Sequence, residues 1–465
     1  MSNTSGCLFV LFGATGDLAK RKLLPALYNL FKDDHIAHCA IIGVGLEQRT
    51  VEQVLEPARE FINDIDEGAW QRLHERMAYC AADVSNTESF ASLAQQVALL
   101  EKQWQTGGNR LFYCATATQF FGPITRNLAA VGLLHRNGDG PWQRVVYEKP
   151  FGHDEASAKQ LNEEILAVIN ESQVFRIDHY LAKEVIANIA FVRFTNRVFE
   201  PLWDNGDIEW VQIFLSETGS TAGRAGYYDH HGVINDVVQN HMLQLLALIA
   251  MEAPAQLTGD AIRDAKVAVL EKVRVDDALL GQYVGYRDEP DVQPESQTPT
   301  LAALRLSIDN ERWRGVPFFL KTGKCLSRKE TKIHIKFKPV KCLLPMDRCP
   351  VEANYLTITI FPEGDITLTI NVKEPGKFDK IIPVNMEFCH SCLFGPYTLE
   401  AYETIFLEII NGEQAVSVRS DEIELSWRIV DLLRARRYPL HFYEVGSTGP
   451  AALEAFANNH NIRWR

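Results

Sequence analysis

At 465 residues the chain is too long for one ordinary core, so two domains are expected. Its composition is globular, with 46% hydrophobic and 23% charged residues and no low-complexity tract. A formal net charge of −13 argues against a nucleic-acid partner, which needs a basic face, yet still allows a local basic cluster to bind a small anion. Met1–Gly6 is short and polar, and the apolar run Cys7–Phe12 is too short for a signal core or a membrane span. The expectation is therefore a cytoplasmic protein with no membrane partner. Nine cysteines sit mostly in hydrophobic segments, which suits reduced, buried thiols. Cys389-His-Ser-Cys392, with Cys342 and Cys349 upstream, is a weak zinc or redox signal. Ordinary thiols and no metal are expected there.

The first strand, Cys7–Phe12, is apolar throughout and runs into Gly13-Ala-Thr15-Gly16-Asp17-Leu18. A helical pattern follows through Leu23, Leu24, Leu27, Leu30 and Phe31. Strand, glycine turn and helix is the layout that places a pyrophosphate at a helix N-terminus. The spacing is G-x-x-G, so the position of the turn carries the reading more than the motif does. A second strand, Ala40–Gly45, ends at Leu46-Glu47-Gln48-Arg49, where such folds read the adenosine ribose. Helical patterns at 50–62 and 86–104 flank a short segment at Met77–Ala82. A strand at Arg110–Ala115, a helix over Phe120–Leu134 and a strand at Gln143–Tyr147 follow, the last ending in Glu148-Lys149-Pro150-Phe-Gly152. A helix over 154–171 and a strand at Val174–Ile177 close this region. Alternating strands and helices predict a Rossmann-like, doubly wound, mostly parallel sheet. Lys149 at a strand end reads either as a ligand-facing lysine or as an exposed turn residue.

Residues 175–184, Phe-Arg-Ile-Asp178-His179-Tyr180-Leu-Ala-Lys183-Glu184, concentrate charge. A helix starting near Asp178 would put His179 and Lys183 on one face. The block reads equally as a phosphate cradle and as a solvated helix start capped by Asp178. Beyond it, 184–199 reads as a helix or a helix plus strand. Strand-like runs occur at Glu209–Ser216, 302–309, 331–338, 355–361, 365–372 and 405–410, with no helix regularly inserted. They predict a larger α+β domain on a mostly antiparallel sheet with helices on one face. The division expected is 1–178 and 179–465. Gly232–Met251 carries Asp236, Asn240 and His241 inside an apolar helical pattern, where a histidine is usually a core residue. Lys321, Lys324 and Lys329 read as a solvated edge or as ligand contacts.

The blocks Gly13–Lys22, Glu148–Gly152, Arg176–Glu184, Ser216-Glu217, Arg224–Asp229, Asp236–His241, Gly315–Phe318, Thr322–Lys324 and Gly446–Pro450 resemble, in one order, the glucose-6-phosphate dehydrogenase family. The resemblance implies oxidation of glucose 6-phosphate to its lactone, the first step of the oxidative pentose phosphate pathway. It implies hydride transfer to NADP+ or NAD+, and a homodimer or homotetramer. It implies His241 as general base with Asp178 as its carboxylate partner. His179, Tyr180 and Lys183 would hold the phosphate. Lys149, Glu217, Asp236, Lys324 and Lys329 would hold the sugar. Gly13, Thr15, Gly16, Asp17, Leu18, Leu46 and Lys149 would face the cofactor. Ala182 and Thr118 stand where the family has glycine and proline. Leu46 stands where its NADP-using members have arginine, which weakens NADP+ selection; Lys20, Arg21 or Arg49 would compensate, and the resemblance still favours NADP+, with NAD+ or dual use as the alternative. A sugar oxidoreductase of the glucose–fructose oxidoreductase type, or a non-catalytic dinucleotide-binding sensor, fits fewer of these blocks.

Overall fold

The computed structural model describes residues 6–136, 138, 140–221, 223–341, 353–362, 364–377, 380–389, 392–393 and 399–465. They form two compact units. One holds Met1–Ala182, Thr258–Arg263 and Leu399–Glu424; the other holds Lys183–Leu257, Asp264–Thr398 and Leu425–Arg465.

The first unit is a six-stranded parallel sheet of β1 (Leu8–Phe12), β2 (Ala40–Gly45), β3 (Met77–Ala81), β4 (Arg110–Cys114), β5 (Gln143–Glu148) and β6 (Val174–Ile177). The order is β3-β2-β1-β4-β5-β6, that of a dinucleotide-binding sheet. β1 is buried along its whole length, as a parallel strand covered on both faces must be. The helix expected over 120–134 is shorter, Phe121–Ala130, because the chain turns left-handed at Gly132 (φ 71°). The helix expected over 154–171 stops at Leu166, and a separate turn capped by Asn170 follows. Glu67–Glu75 is a helix the apolar pattern did not announce; Asp66 caps it by accepting from Ala69 N at 2.6 Å.

The run 405–410, expected as a strand, lies in the helix Ala401–Asn411. Short apolar runs do not separate a strand from a buried helix turn. Here the ends decide: a Glu400/Glu403 capping box starts the helix and Gly412 (φ 81°) stops it. Its buried residues, Tyr402, Ile405, Phe406, Ile409 and Ile410, recur at helical spacing. Phe406 packs on Phe9 and Tyr113 of the sheet, ring centres 5.6 Å apart in each pair. Arg144 of β5 donates to the carbonyls of Ile409 and Ile410 at the helix C-terminus, satisfying groups the helix leaves open. The chain thus returns some 220 residues later to cover its first sheet.

The second unit is built on a nine-stranded sheet. Its strands are β7 (Ile208–Ser216), β8 (Val273–Tyr283), β9 (Leu301–Ile308), β10 (Phe318–Gly323), β11 (Glu330–Phe337), β12 (Tyr355–Phe361), β13 (Asp365–Lys373), β14 (Ile381–Cys389) and β15 (Leu440–Tyr443). The order is β14-β13-β12-β11-β7-β10-β9-β8-β15. Among the described residues only β10–β7 and β15–β8 run parallel. β8, β10, β14 and β15 add to the strands expected from the sequence. The helix Leu243–Ala250 is wholly buried. Trp203 and Trp313 donate their indole N–H to the carbonyls of Ile249 (2.8 Å) and Ala250 (2.7 Å), and Arg193 joins them at its C-terminus. The run Ala225–Ala250 is long and apolar enough to cross a bilayer, but 89% of its most apolar window is buried in the protein. On the other face of the sheet, Trp464 packs edge-on against Phe214 and Phe319.

Five cysteines, Cys7, Cys39, Cys80, Cys114 and Cys325, are free and buried, as expected. Cys389 and Cys392 are joined in a disulfide, which corrects the expectation of ordinary thiols there. Their Cα atoms lie 5.3 Å apart, within the range a disulfide spans. Cys342 and Cys349 lie outside the described residues.

In β11, His334 is buried, with Nδ1 at 3.0 Å from Thr357 Oγ1 and its ring edge-on to Phe214. Burial, reinforced by Lys332 and Arg465, lowers its pKa from 6.5 to about 4. The unfolded chain therefore takes up this proton first as pH falls. Stability present above pH 6.5 is lost between 6.5 and about 4, by at most roughly 3 kcal/mol. Urea unfolding across this range should show a shallower loss for His334→Gln than for the parent; equal slopes would exclude this histidine as a source of acid lability.

Candidate functional site

In the first unit, three strand ends carry the predicted residues. The turn after β1 folds over β2, since the N–H groups of Gly13 and Ala14 both donate to Val44 O, at 2.9 and 3.1 Å. Gly13 has φ 80°, and a Cβ there would stand 2.5 Å from Ala115 O; only glycine fits. Lys20 N reaches back to Gly16 O (3.1 Å) as a helix winds through Ala19–Leu23 into Leu24–Lys32. The N–H groups of its first turn, Asp17 and Leu18 among them, have no intrahelical acceptor, an arrangement suited to an anion. Thr15 and Asp17 are exposed beside them.

Two further signals mark the site. Thr116, after β4, has its hydroxyl buried with no hydrogen-bond partner among the described residues. Its methyl group would lie 3.4 Å from a Cβ on Gly13. An unmet buried hydroxyl costs about 1–3 kcal/mol, and a dinucleotide on the glycine turn fits as its missing partner. Thr118 then donates to Pro150 O at 2.8 Å, tying this loop to the turn after β5. A proline at this position could not make that bond.

β5 ends at Glu148, whose buried carboxylate accepts from Tyr113 Oη (2.6 Å) and Tyr402 Oη (3.3 Å). Burial raises its pKa against the opposing pull of these phenols and of Lys149. Lys149 follows, half-buried, and the Lys149-Pro150 bond is cis. β6 ends at Ile177. Arg176, buried, makes a two-pronged pair with Glu171 (2.6 and 3.2 Å), so it is structural. Asp178 is buried and accepts from Tyr180 N at 3.0 Å. Leu181 N returns to Asp178 O. Asp178 therefore closes a turn and does not cap a helix: the helix starts at Glu184, with Lys183 at its N-cap position. The side-chain bond of Asp178 lets the turn compete with helix, so His179 and Lys183 do not share a helical face. His179 stacks on Tyr402, 6.4 Å between centres and 12° between planes. Tyr402 thus supports both Glu148 and His179. Sequence reasoning missed it because its helix was read as a strand.

In the second unit, Gly232 breaks a helix, with φ 63° and ψ 176°. The next nine residues, Ile234–Met242, wind as a π-helix. Leu243 N reaches Val238 O, and Asn240 Nδ2 donates to Asn235 O at 3.1 Å. Wide winding brings residues five apart near one face, as with Asp236 and His241; single π turns often mark functional sites. His241 is buried, and its backbone N–H donates to Asn240 Oδ1 at 2.7 Å. Glu217 and Lys324, at the ends of paired β7 and β10, form an ion pair. The Lys324 ammonium also lies 5.7 Å above the Tyr228 ring. Tyr228 was not singled out in the sequence, yet its buried hydroxyl has no hydrogen-bond partner among the described residues. Burial raises its pKa, as do the charges of Asp236 and Glu217 nearby. Glu217, Asp236, Lys324 and Tyr228 therefore form one polar group. Lys329 stands apart, exposed over Phe361. A cavity of about 880 Å³ in this unit is lined by Lys321, Arg328 and Trp464 among others; of the three lysines singled out in the sequence it takes in Lys321 and neither Lys324 nor Lys329.

Comparison with known proteins covers nearly the whole chain. The family described as "Glucose-6-phosphate dehydrogenase, NAD binding domain" matches residues 10–188, and "Glucose-6-phosphate dehydrogenase, C-terminal domain" matches 190–465. A glucose-6-phosphate 1-dehydrogenase of Bacillus subtilis is 37% identical over 480 residues, covering 98% of each chain. One from Chlamydia pneumoniae is 36% identical over 492 residues, covering 99% of this chain and 96% of its own. A solved glucose-6-phosphate dehydrogenase in complex with glucose 6-phosphate superposes with a TM-score of 0.92, at 31% identity and full coverage of both chains.

The kink before the π-helix can be tested without any ligand. At Gly232 the φ/ψ pair is open in practice only to glycine, and a Cβ would press on Thr298 and Pro299 at 3.0–3.4 Å. Gly232→Ala should lower unfolding free energy by about 1–3 kcal/mol in urea titration; an unchanged midpoint would show that the kink carries no strain.

Proposed function

The chain belongs to the glucose-6-phosphate dehydrogenase family, and from that premise we propose that it oxidises glucose 6-phosphate at its anomeric carbon to 6-phosphogluconolactone, with NADP+ or NAD+ as hydride acceptor. What carries this reading is that both family halves match end to end while every side chain the chemistry calls for is present. The reaction is the entry to the oxidative pentose phosphate pathway.

The nicotinamide ring, when bound, takes the hydride. The remaining work belongs to the protein. His241 takes the anomeric hydroxyl proton as the C1 hydride departs, a task suited to an imidazole, which titrates near neutral pH. Asp178 fixes the imidazole tautomer and stabilises the imidazolium. His179, Tyr180 and Lys183 bind the sugar phosphate; the stacking of His179 on Tyr402 supports a fixed imidazole there. Lys149, Glu217, Asp236 and Lys324 bind sugar hydroxyls; Lys329, exposed over Phe361 and apart from that group, has no part in it. The unmet hydroxyl of Tyr228 beside Lys324 adds a further group of the right chemistry. Gly13, Thr15, Gly16, Asp17 and Leu18 seat the pyrophosphate. We assign residues 1–178 to cofactor binding and 179–465 to substrate binding and self-association, as a cytoplasmic homodimer or homotetramer; the broad sheet of the second unit supports this.

The direct test is reduction of NADP+ and NAD+ with glucose 6-phosphate and with free glucose. No turnover in any pairing would sink the assignment. His241→Asn should lower kcat by roughly 10²–10⁴ with little change in KM; a raised KM at normal kcat would make His241 a binding residue only. Lys183→Ala should chiefly raise the KM for the sugar phosphate, and an unchanged KM would remove it from the phosphate site.

A further inference from the structure

In a parallel sheet of this order, the loop after the second strand lies beside the adenosine ribose. A carboxylate there accepts from a free 2′-hydroxyl, whereas an arginine pairs with a 2′-phosphate. In this chain the loop is Leu46-Glu47-Gln48-Arg49, and its course is fixed. Gly45 ends β2 against the glycine turn: a Cβ there would lie 3.5 Å from Thr15 Oγ1 and 2.5 Å from the Tyr79 hydroxyl. Tyr79 then donates to Glu47 O at 2.7 Å.

The first side chain the loop presents is aliphatic, Leu46, 73% exposed. The second is a carboxylate, Glu47, whose Oε2 meets Arg49 Nη2 at 2.6 Å. Arg21, on the helix after the glycine turn, is held by Asp17 at 2.7 Å and lies over the Phe61 ring at 5.1 Å. Lys20 covers the same ring at 5.4 Å. Arg49 in this loop and Arg21 on the helix after the glycine turn are thus each paired with a carboxylate at the surface. To use either, a 2′-phosphate would have to displace Glu47 or Asp17 and leave that carboxylate beside a phosphate of like charge. A 2′-hydroxyl meets no such conflict and offers Glu47 a donor.

We propose that this chain selects NAD+ over NADP+, with Glu47 as the ribose acceptor and Leu46 in place of a phosphate partner. The proposal deepens the dehydrogenase reading and rests on the same cofactor site, but its test needs no turnover. Fluorescence titration of the full-length protein with NADH and with NADPH, without sugar phosphate, should give the lower Kd for NADH. Leu46→Arg should tighten NADPH roughly tenfold while moving NADH by less than about twofold, and Glu47→Ala should weaken NADH by roughly three- to tenfold, as one ribose hydrogen bond allows. Urea midpoints equal to the parent's would show that these surface variants are folded. NADPH bound as tightly as NADH, or tighter, by the parent would overturn the proposal; its loss in Arg21→Ala or Arg49→Ala would then place the phosphate on those cations. NADH selectivity without turnover of glucose 6-phosphate would sink the substrate assignment and leave the cofactor assignment standing.

Discussion

Glu148 ends β5 with its carboxylate buried, and two phenols, Tyr113 from β4 and Tyr402 from the returning helix, donate to the same oxygen. A buried carboxylate is tolerated only with such donors, since desolvation penalises its charged form. The network therefore requires the chain to come back after some 250 residues and lay a helix on its first sheet. The carbonyl contacts of Arg144 at that helix's C-terminus serve the same end. Lys149 is placed by being next to Glu148, and His179 by stacking on Tyr402. Two of the proposed ligand-binding side chains thus depend on one carboxylate being satisfied.

The second unit solves a different problem with backbone winding. A histidine inside an apolar helix would ordinarily be a core residue. Gly232 breaks that helix, and the π-wound turns from Ile234 to Met242 re-aim the side chains that follow. Asn240 spends its amide on Asn235 O and its carbonyl oxygen on the His241 N–H, holding the widened turn locally. The cost is met below it, where Leu243–Ala250 is buried on every side and its last carbonyls are capped by two tryptophans and an arginine. The buried lower helix anchors the widened turn above it.

The parallel sheet was legible because burial on both faces leaves continuous apolar runs: Ala40–Gly45 and Val174–Ile177 match their strands residue for residue. Gly13 was legible because a tight turn against Ala115 O admits nothing larger. What stayed hidden depended on distant contacts. Residues 405–410 are apolar in either period, and only Tyr402, Phe406 and the two ends of the segment make it a helix. The turn at Asp178 was read as a helix start because an aspartate caps both, and the bond to Tyr180 N rather than to a helical N–H decides the matter. Tyr228 carried no motif; its significance is an unmet hydroxyl in a charged neighbourhood, which no local pattern encodes.

The cofactor turn shows how such a fold separates binding from selectivity. The anion seat is made of backbone N–H groups at a helix start, and the side chains around it serve its shape: Gly13 against Ala115, Gly45 against Tyr79. Gly13 cannot change without moving the backbone, whereas a Cβ at Gly45 would press on the tip of the Tyr79 side chain. Leu46, one residue further, is exposed and packs against nothing that the strand requires. On the proposed reading of the cofactor site, a substitution there would change the preferred ribose and leave the glycine turn, the sheet register and the buried Glu148 network as they are. Selectivity for the 2′-position would then rest on one exposed side chain, and the dinucleotide seat on the strand order and the glycine turn.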